Sequence, residues 1–111
     1  MEILEQTKGA VKVLKPRGPL IGSDADQFKR AASDAAGISL GRIVVDASSI
    51  AYVDSRGLEV IAELSEELSQ SGLSLKVCGT NETVREVLEL TELGSMVEHY
   101  SDVTSAVRSF L

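Results

Sequence analysis

A chain of 111 residues with 43% hydrophobic content is about one domain long, residues 1–111, and can build a core without disulfide or metal staples. Its net charge of −6 argues against nucleic acid as the main partner, because phosphate-backbone binding needs clustered cations and only Lys12, Lys15 and Arg17 come close together. A lone cysteine, no apolar stretch near the roughly 18 to 20 residues of a membrane span, and no basic signal-peptide start lead us to expect a cytoplasmic protein without membrane insertion.

Ile3 to Gln6 and Val11 to Leu14 suggest two short strands around Thr7-Lys8-Gly9-Ala10, a hairpin. Pro16, Gly18 and Pro19 are expected to break the ladder after it. Gly18-Pro19-Leu20-Ile21-Gly22 lacks the Gly-Lys-Ser/Thr ending of a P-loop and the spacing of a dinucleotide fingerprint, so it is a connecting turn or short extended segment. Ser23 or Asp24 can cap the next helix, whose apolar face is Ala25, Phe28, Ala31, Ala32 and Ala35 and whose stop fits Gly37. So many alanines imply close packing against a sheet.

Arg42-Ile43-Val44-Val45-Asp46 is a buried strand, bounded by Gly41 and by Ser48-Ser49. Leu58, Ile61, Leu64 and Leu68 then recur at helical spacing, with Glu59, Glu63, Glu66 and Glu67 on the other face. Ser71-Gly72 ends this helix, and Leu73 to Cys78 returns as a strand. Thr80 or Asn81 caps a third helix carrying Val84, Val87 and Leu88, which stops near Leu93-Gly94. Met96 to Tyr100 is a weak last strand, and Ser101 or Asp102 opens a final helix with Val103, Ala106, Val107 and Phe110 inward. The alternation predicts an α/β fold: a mixed sheet of about five strands with a parallel core, and about four helices against it.

The junction Asp54-Ser55-Arg56-Gly57-Leu58 carries more capping chemistry than one helix start requires. With Asp54 as N-cap, Val53 and Leu58 fall at the two positions of a hydrophobic staple, and Ser55 is left spare. Its hydroxyl would lie beside unpaired backbone N–H groups, where a phosphate is well placed. Arg56 works against the helix dipole there, and Gly57 costs roughly 1 kcal/mol of propensity while leaving room for something to approach the backbone.

The run Ile43-Val44-Val45-Asp46 … Tyr52-Val53-Asp54-Ser55-Arg56-Gly57-Leu58 resembles the signature of the STAS domain, in particular the bacterial anti-sigma factor antagonists of the SpoIIAA type. The resemblance extends from Val11 to Val107 and implies the SpoIIAA-like fold. It also implies that Ser55 is phosphorylated by a partner kinase that is at once the anti-sigma factor, and reset by a serine phosphatase. On that reading Asp54, Ser55, Arg56, Gly57, Glu59 and Glu63 form the partner-binding surface. Arg56 stands where a small residue is usual, and Ile21 where many relatives have an aspartate after Gly-x-Leu.

Those two departures favour an alternative, a STAS scaffold or adaptor of another signalling or membrane-associated complex that works without phosphorylation. An enzyme with Ser55 as nucleophile has less behind it, since the chain has no Gly-x-Ser-x-Gly elbow and His99 would be the only histidine base. The glutamates follow the wet face of a helix, so neither a metal site nor an acid/base pair is expected, and no cofactor. Cys78 is expected as a small buried hydrophobe, His99 at the surface or a strand edge, and Tyr52 under the serine turn.

Overall fold

The computed structural model describes residues 1–111. Five strands form one sheet in sequence order: β1 (Glu2–Lys8), β2 (Val11–Arg17), β3 (Ile43–Asp46), β4 (Leu75–Cys78) and β5 (Val97–Tyr100). The β1–β2 pair is antiparallel and every later pair is parallel, so the mixed sheet with a parallel core is present as expected. Each parallel step needs a crossover, supplied by α1 (Gly22–Ser39), α2 (Ser55–Ser69) and α3 (Glu82–Leu90). A fourth helix, α4 (Val103–Arg108), follows β5.

Alternation along the strands sends side chains to two faces, and each face has its own cover. Leu14, Ile43, Val45, Leu75 and Val77 meet Ala25, Phe28, Val60, Leu64, Val84 and Leu88 of the three crossover helices in the main core. On the other face Val11, Val13, Val44 and Cys78 lie under Ala106 of α4, with Val103, Val107 and Phe110 packed around them. Lys76 shares that second face. Its ammonium reaches Glu98 at 2.8 Å and sits 4.6 Å from the Phe110 ring centre, so the buried cation is paired and its desolvation offset. Burial pushes the Cys78 thiol up to about 11, which fits a small apolar residue.

Several boundaries differ from the sequence expectation, for local reasons. Pro16 lies inside β2, opposite Ile3. It is tolerated because β3 pairs with Lys12 to Leu14 only, so no partner on that side is waiting for its missing N–H. The first helix starts at Gly22 with Ile21 as N-cap, not behind Ser23 or Asp24, and Ile21 offers no capping side chain. The same helix runs through Gly37 to Ser39, and Leu40 takes the left-handed conformation at φ 57°. Glycine is needed at Gly41 instead, where φ is 84° and the Leu73 side chain packs against the bare Cα. The third helix ends at Leu90, short of the stop expected near Leu93-Gly94, and those residues form a separate 3-10 turn at Leu93–Ser95.

Phe28 is the largest of the fully buried side chains, at 1% exposure in the main core. Phe28→Ala is therefore expected to cost about 3 to 5 kcal/mol of stability, read from urea unfolding curves.

Candidate functional site

The serine turn is held from both sides before its own side chains matter. After β3, residues 47–54 run alongside the Gly18–Leu20 segment: the Gly18 N–H donates to Ser49 O, Leu20 N–H to Tyr52 O and Asp54 N–H to Leu20 O, at 3.1, 3.0 and 3.3 Å. Leu20 and Val53 form a parallel bridge, so of the connecting turn or short extended segment expected here the extended segment is found, and it works as a clasp. On the far side Asn81, N-cap of α3, donates through its amide to Ile50 O and Ala51 O at 3.2 and 3.0 Å, while its carbonyl oxygen accepts the Val84 N–H at 2.7 Å. These bonds satisfy the backbone polar groups of a partly buried loop.

Asp54 uses both carboxylate oxygens. Oδ1 accepts the Gly57 N–H at 2.8 Å, the expected N-cap of α2, and Oδ2 accepts the Gly22 N–H at 3.0 Å. One side chain thus caps two helices, and α1, whose own N-cap is isoleucine, depends on it. These bonds, foremost that from Gly57, hold the Asp54 carboxyl below its usual range. Val53 and Leu58 flank the cap and pack on the main core, as a hydrophobic staple requires.

With Asp54 so engaged, Ser55 is idle. It is the first residue of α2, it is exposed, and its hydroxyl makes no hydrogen bond within the chain. Gly57, by contrast, is buried and offers nothing to a partner. What approaches its backbone is the chain itself, because a Cβ there would collide with the Leu20 carbonyl oxygen and press on Val53. Tyr52 is half exposed beside the turn, and its carbonyl belongs to the clasp.

Arg56 is not idle. Its Nε and Nη2 donate to Asp26 Oδ1 of α1 at 2.8 and 2.6 Å, and Nη1 donates to Glu59 Oε2 and Glu63 Oε1 at 3.0 Å each. Lys29 of α1 pairs with the other oxygen of Glu63 at 2.5 Å. Asp26 first, then Glu63 and Glu59, raise the Arg56 guanidinium above its ordinary pKa; Lys29, then Arg56, lower that of Glu63. The glutamates therefore converge on a guanidinium, and no group of three or more His, Cys, Asp or Glu is arranged to hold a metal ion. Sequence reasoning missed Asp26 and Lys29, although their three-residue spacing on one edge of an alanine-faced helix was available as a signal. His99 lies on edge strand β5, its Nδ1 without a partner.

The STAS domain family profile matches residues 2–106, and the chain belongs to that family. Among solved structures, a candidate anti-sigma factor antagonist from Thermotoga maritima is 27% identical, with TM-score 0.87 over 96% of this chain and 92% of that one. The anti-sigma factor antagonist SpoIIAA in its unphosphorylated form shares the fold at 18% identity and TM-score 0.77, over 98% and 96% of the two chains. The murine Slc26a9 anion transporter shares it at 18% identity and TM-score 0.75, with 95% of this chain covered but only 18% of the transporter. A comparison with curated protein sequences finds no match.

Gly57→Ala is expected to destabilise the fold by about 1 to 3 kcal/mol through overpacking against Leu20, despite alanine's better propensity, measurable by urea denaturation. For Asp54, a depressed folded pKa means that its contribution is complete above the unfolded value of about 3.9 and is lost as pH falls through the lower folded value. Asp54→Asn, which keeps an acceptor but no titrating charge, should show a shallower loss of stability than wild type from pH ~5 to ~3, with Glu63 and Asp102 supplying the slope that remains.

Proposed function

We propose that residues 1–111 act as a single cytoplasmic STAS domain, an anti-sigma factor antagonist that works by phosphorylation-controlled partner switching. Unmodified, it binds an anti-sigma factor that is also its serine kinase; phosphorylated on Ser55, it lets go until a serine phosphatase resets it. The observation that carries this reading is the free, exposed hydroxyl of Ser55, which Asp54 releases from capping duty. Phosphorylation adds roughly −1.5 to −2 charges to that position. In a docked, desolvated interface such a charge costs on the order of 2 to 5 kcal/mol, or about 30-fold to several thousand-fold in affinity. The fold tolerates the anion, since the first turn of a helix favours negative charge. SpoIIAA itself has been solved in a phosphorylated form, a precedent within the fold.

The residues nearest the serine outline the proposed docking surface: Glu59 exposed, with Glu63, Arg56 and Asp54 half-buried behind it. A binding module fits this turn better than an enzyme, because the Ser55 hydroxyl has no hydrogen bond to any base and His99 lies on a sheet edge. No helix is long and apolar enough to cross a membrane. The second reading, an adaptor without phosphorylation, is favoured by Ile21 in place of the aspartate usual in antagonists and by the transporter that carries this fold.

Incubation with the cognate kinase and ATP should add about 80 Da, the mass of one phosphoryl group, to wild type and nothing to Ser55→Ala. In calorimetry with the anti-sigma factor, Ser55→Ala should bind like the unmodified protein, and the phosphorylated protein at least about 30-fold more weakly. No mass increase with an active kinase would remove the phosphorylation switch, and absence of binding to the anti-sigma factor as well would favour the adaptor instead.

A further inference from the structure

We propose that Arg56 is a withheld cation: bound to Asp26, Glu59 and Glu63, it joins the two helices beneath Ser55 and leaves a phosphate on that serine unneutralised by its own chain. This rests on the reading of Ser55 as a phosphorylation site and adds how the charge of the phosphate is directed.

The geometry points one way. Four hydrogen bonds leave the guanidinium, two to Asp26 across the helix seam and one each to Glu59 and Glu63, three and seven residues further along α2. Ser55 lies one residue back towards the N-terminus, and neighbours in sequence do not face each other on a helix. Arg56 is therefore drawn away from the serine.

No other cation of α1 or α2 stands in, nor does the N-terminal ammonium. Lys29 is committed to Glu63. The N-terminal ammonium of Met1 is paired with Asp24 at 3.4 Å. Arg30 is exposed, and lies about 12 Å along the axis of α1 from Gly22, at eight residues of helical rise. The clamp holds two cations and three carboxylates, and Asp54 beside it adds another negative charge. A phosphate on Ser55 thus meets backbone N–H groups and a net negative seam, and its charge is presented outward to whatever docks. An arginine free to fold back on the phosphate would cancel part of that charge and weaken the switch.

The test uses full-length protein with phosphoserine genetically encoded at position 55, so it does not depend on a natural kinase. The second ionisation of the phosphate is followed by phosphorus-31 NMR in four proteins: the parent, Arg56→Gln, Asp26→Asn/Glu63→Gln, and the combination of all three substitutions. A withheld Arg56 predicts that Arg56→Gln shifts the ionisation by less than about 0.3 pH unit in the parent, but raises it by about one unit once Asp26 and Glu63 are neutralised. An upward shift of about one unit in both backgrounds would overturn the proposal, because it would mean that the phosphate already holds the guanidinium. Should the substitutions unfold the chain, the Arg56 Nε–H resonance decides the matter in wild type. It stays in place on phosphorylation if the cation is withheld, and shifts if the phosphate draws the guanidinium off Asp26. A kinase that fails to modify Ser55 would remove the switch reading while leaving these outcomes interpretable.

Discussion

The two oxygens of Asp54 are the point on which the serine turn depends. A helix start leaves N–H groups without partners, and here one carboxylate meets that need for two helices, taking Gly57 of α2 and Gly22 of α1. Two consequences follow. The first crossover helix begins without a polar cap of its own, and the hydroxyl next to Asp54 has no structural duty. The free serine is a product of how the backbone is satisfied, so the exposed hydroxyl and the structural carboxylate belong to separate residues although they are adjacent.

Around that cap the chain has spent its irregular segments on support. The residues before α1 are zipped to the residues before α2, Asn81 closes the loop from the other side, and Gly57 lets the Leu20 carbonyl sit against the helix. Beneath it, a charged cluster is added to the apolar packing between α1 and α2, where Arg56 gathers carboxylates from both. A cation in a first turn is unfavourable by itself, and three carboxylate partners offset that cost.

Much of this was legible in the sequence. The β-branched run of Ile43-Val44-Val45, the apolar period of Leu58 to Leu68, Asp54 as a cap, and caps at Thr80 or Asn81 and at Ser101 or Asp102 follow from local chemistry, and the structure places the elements there and takes Asn81 and Asp102 from the two pairs. What escaped depends on residues far apart in the chain. The start of α1 could not be read from Ser23 or Asp24, because its cap comes from 32 residues away. From the sequence Arg56 is only a cation opposed to the helix dipole, because its main partner, Asp26, is 30 residues upstream. Gly57 suggested an opening for a partner, yet the space is filled by Leu20, a contact that no periodicity encodes. Local rules located the elements, and long-range hydrogen bonds decided what their ends do.

The clasp between the Gly18–Leu20 segment and the serine loop has a thermodynamic corollary for recognition. A loop that must be frozen on docking charges its conformational entropy to the complex, whereas this one has already lost that freedom on folding. Association with a partner should therefore resemble the meeting of two rigid bodies, with any slow rearrangement belonging to the other molecule.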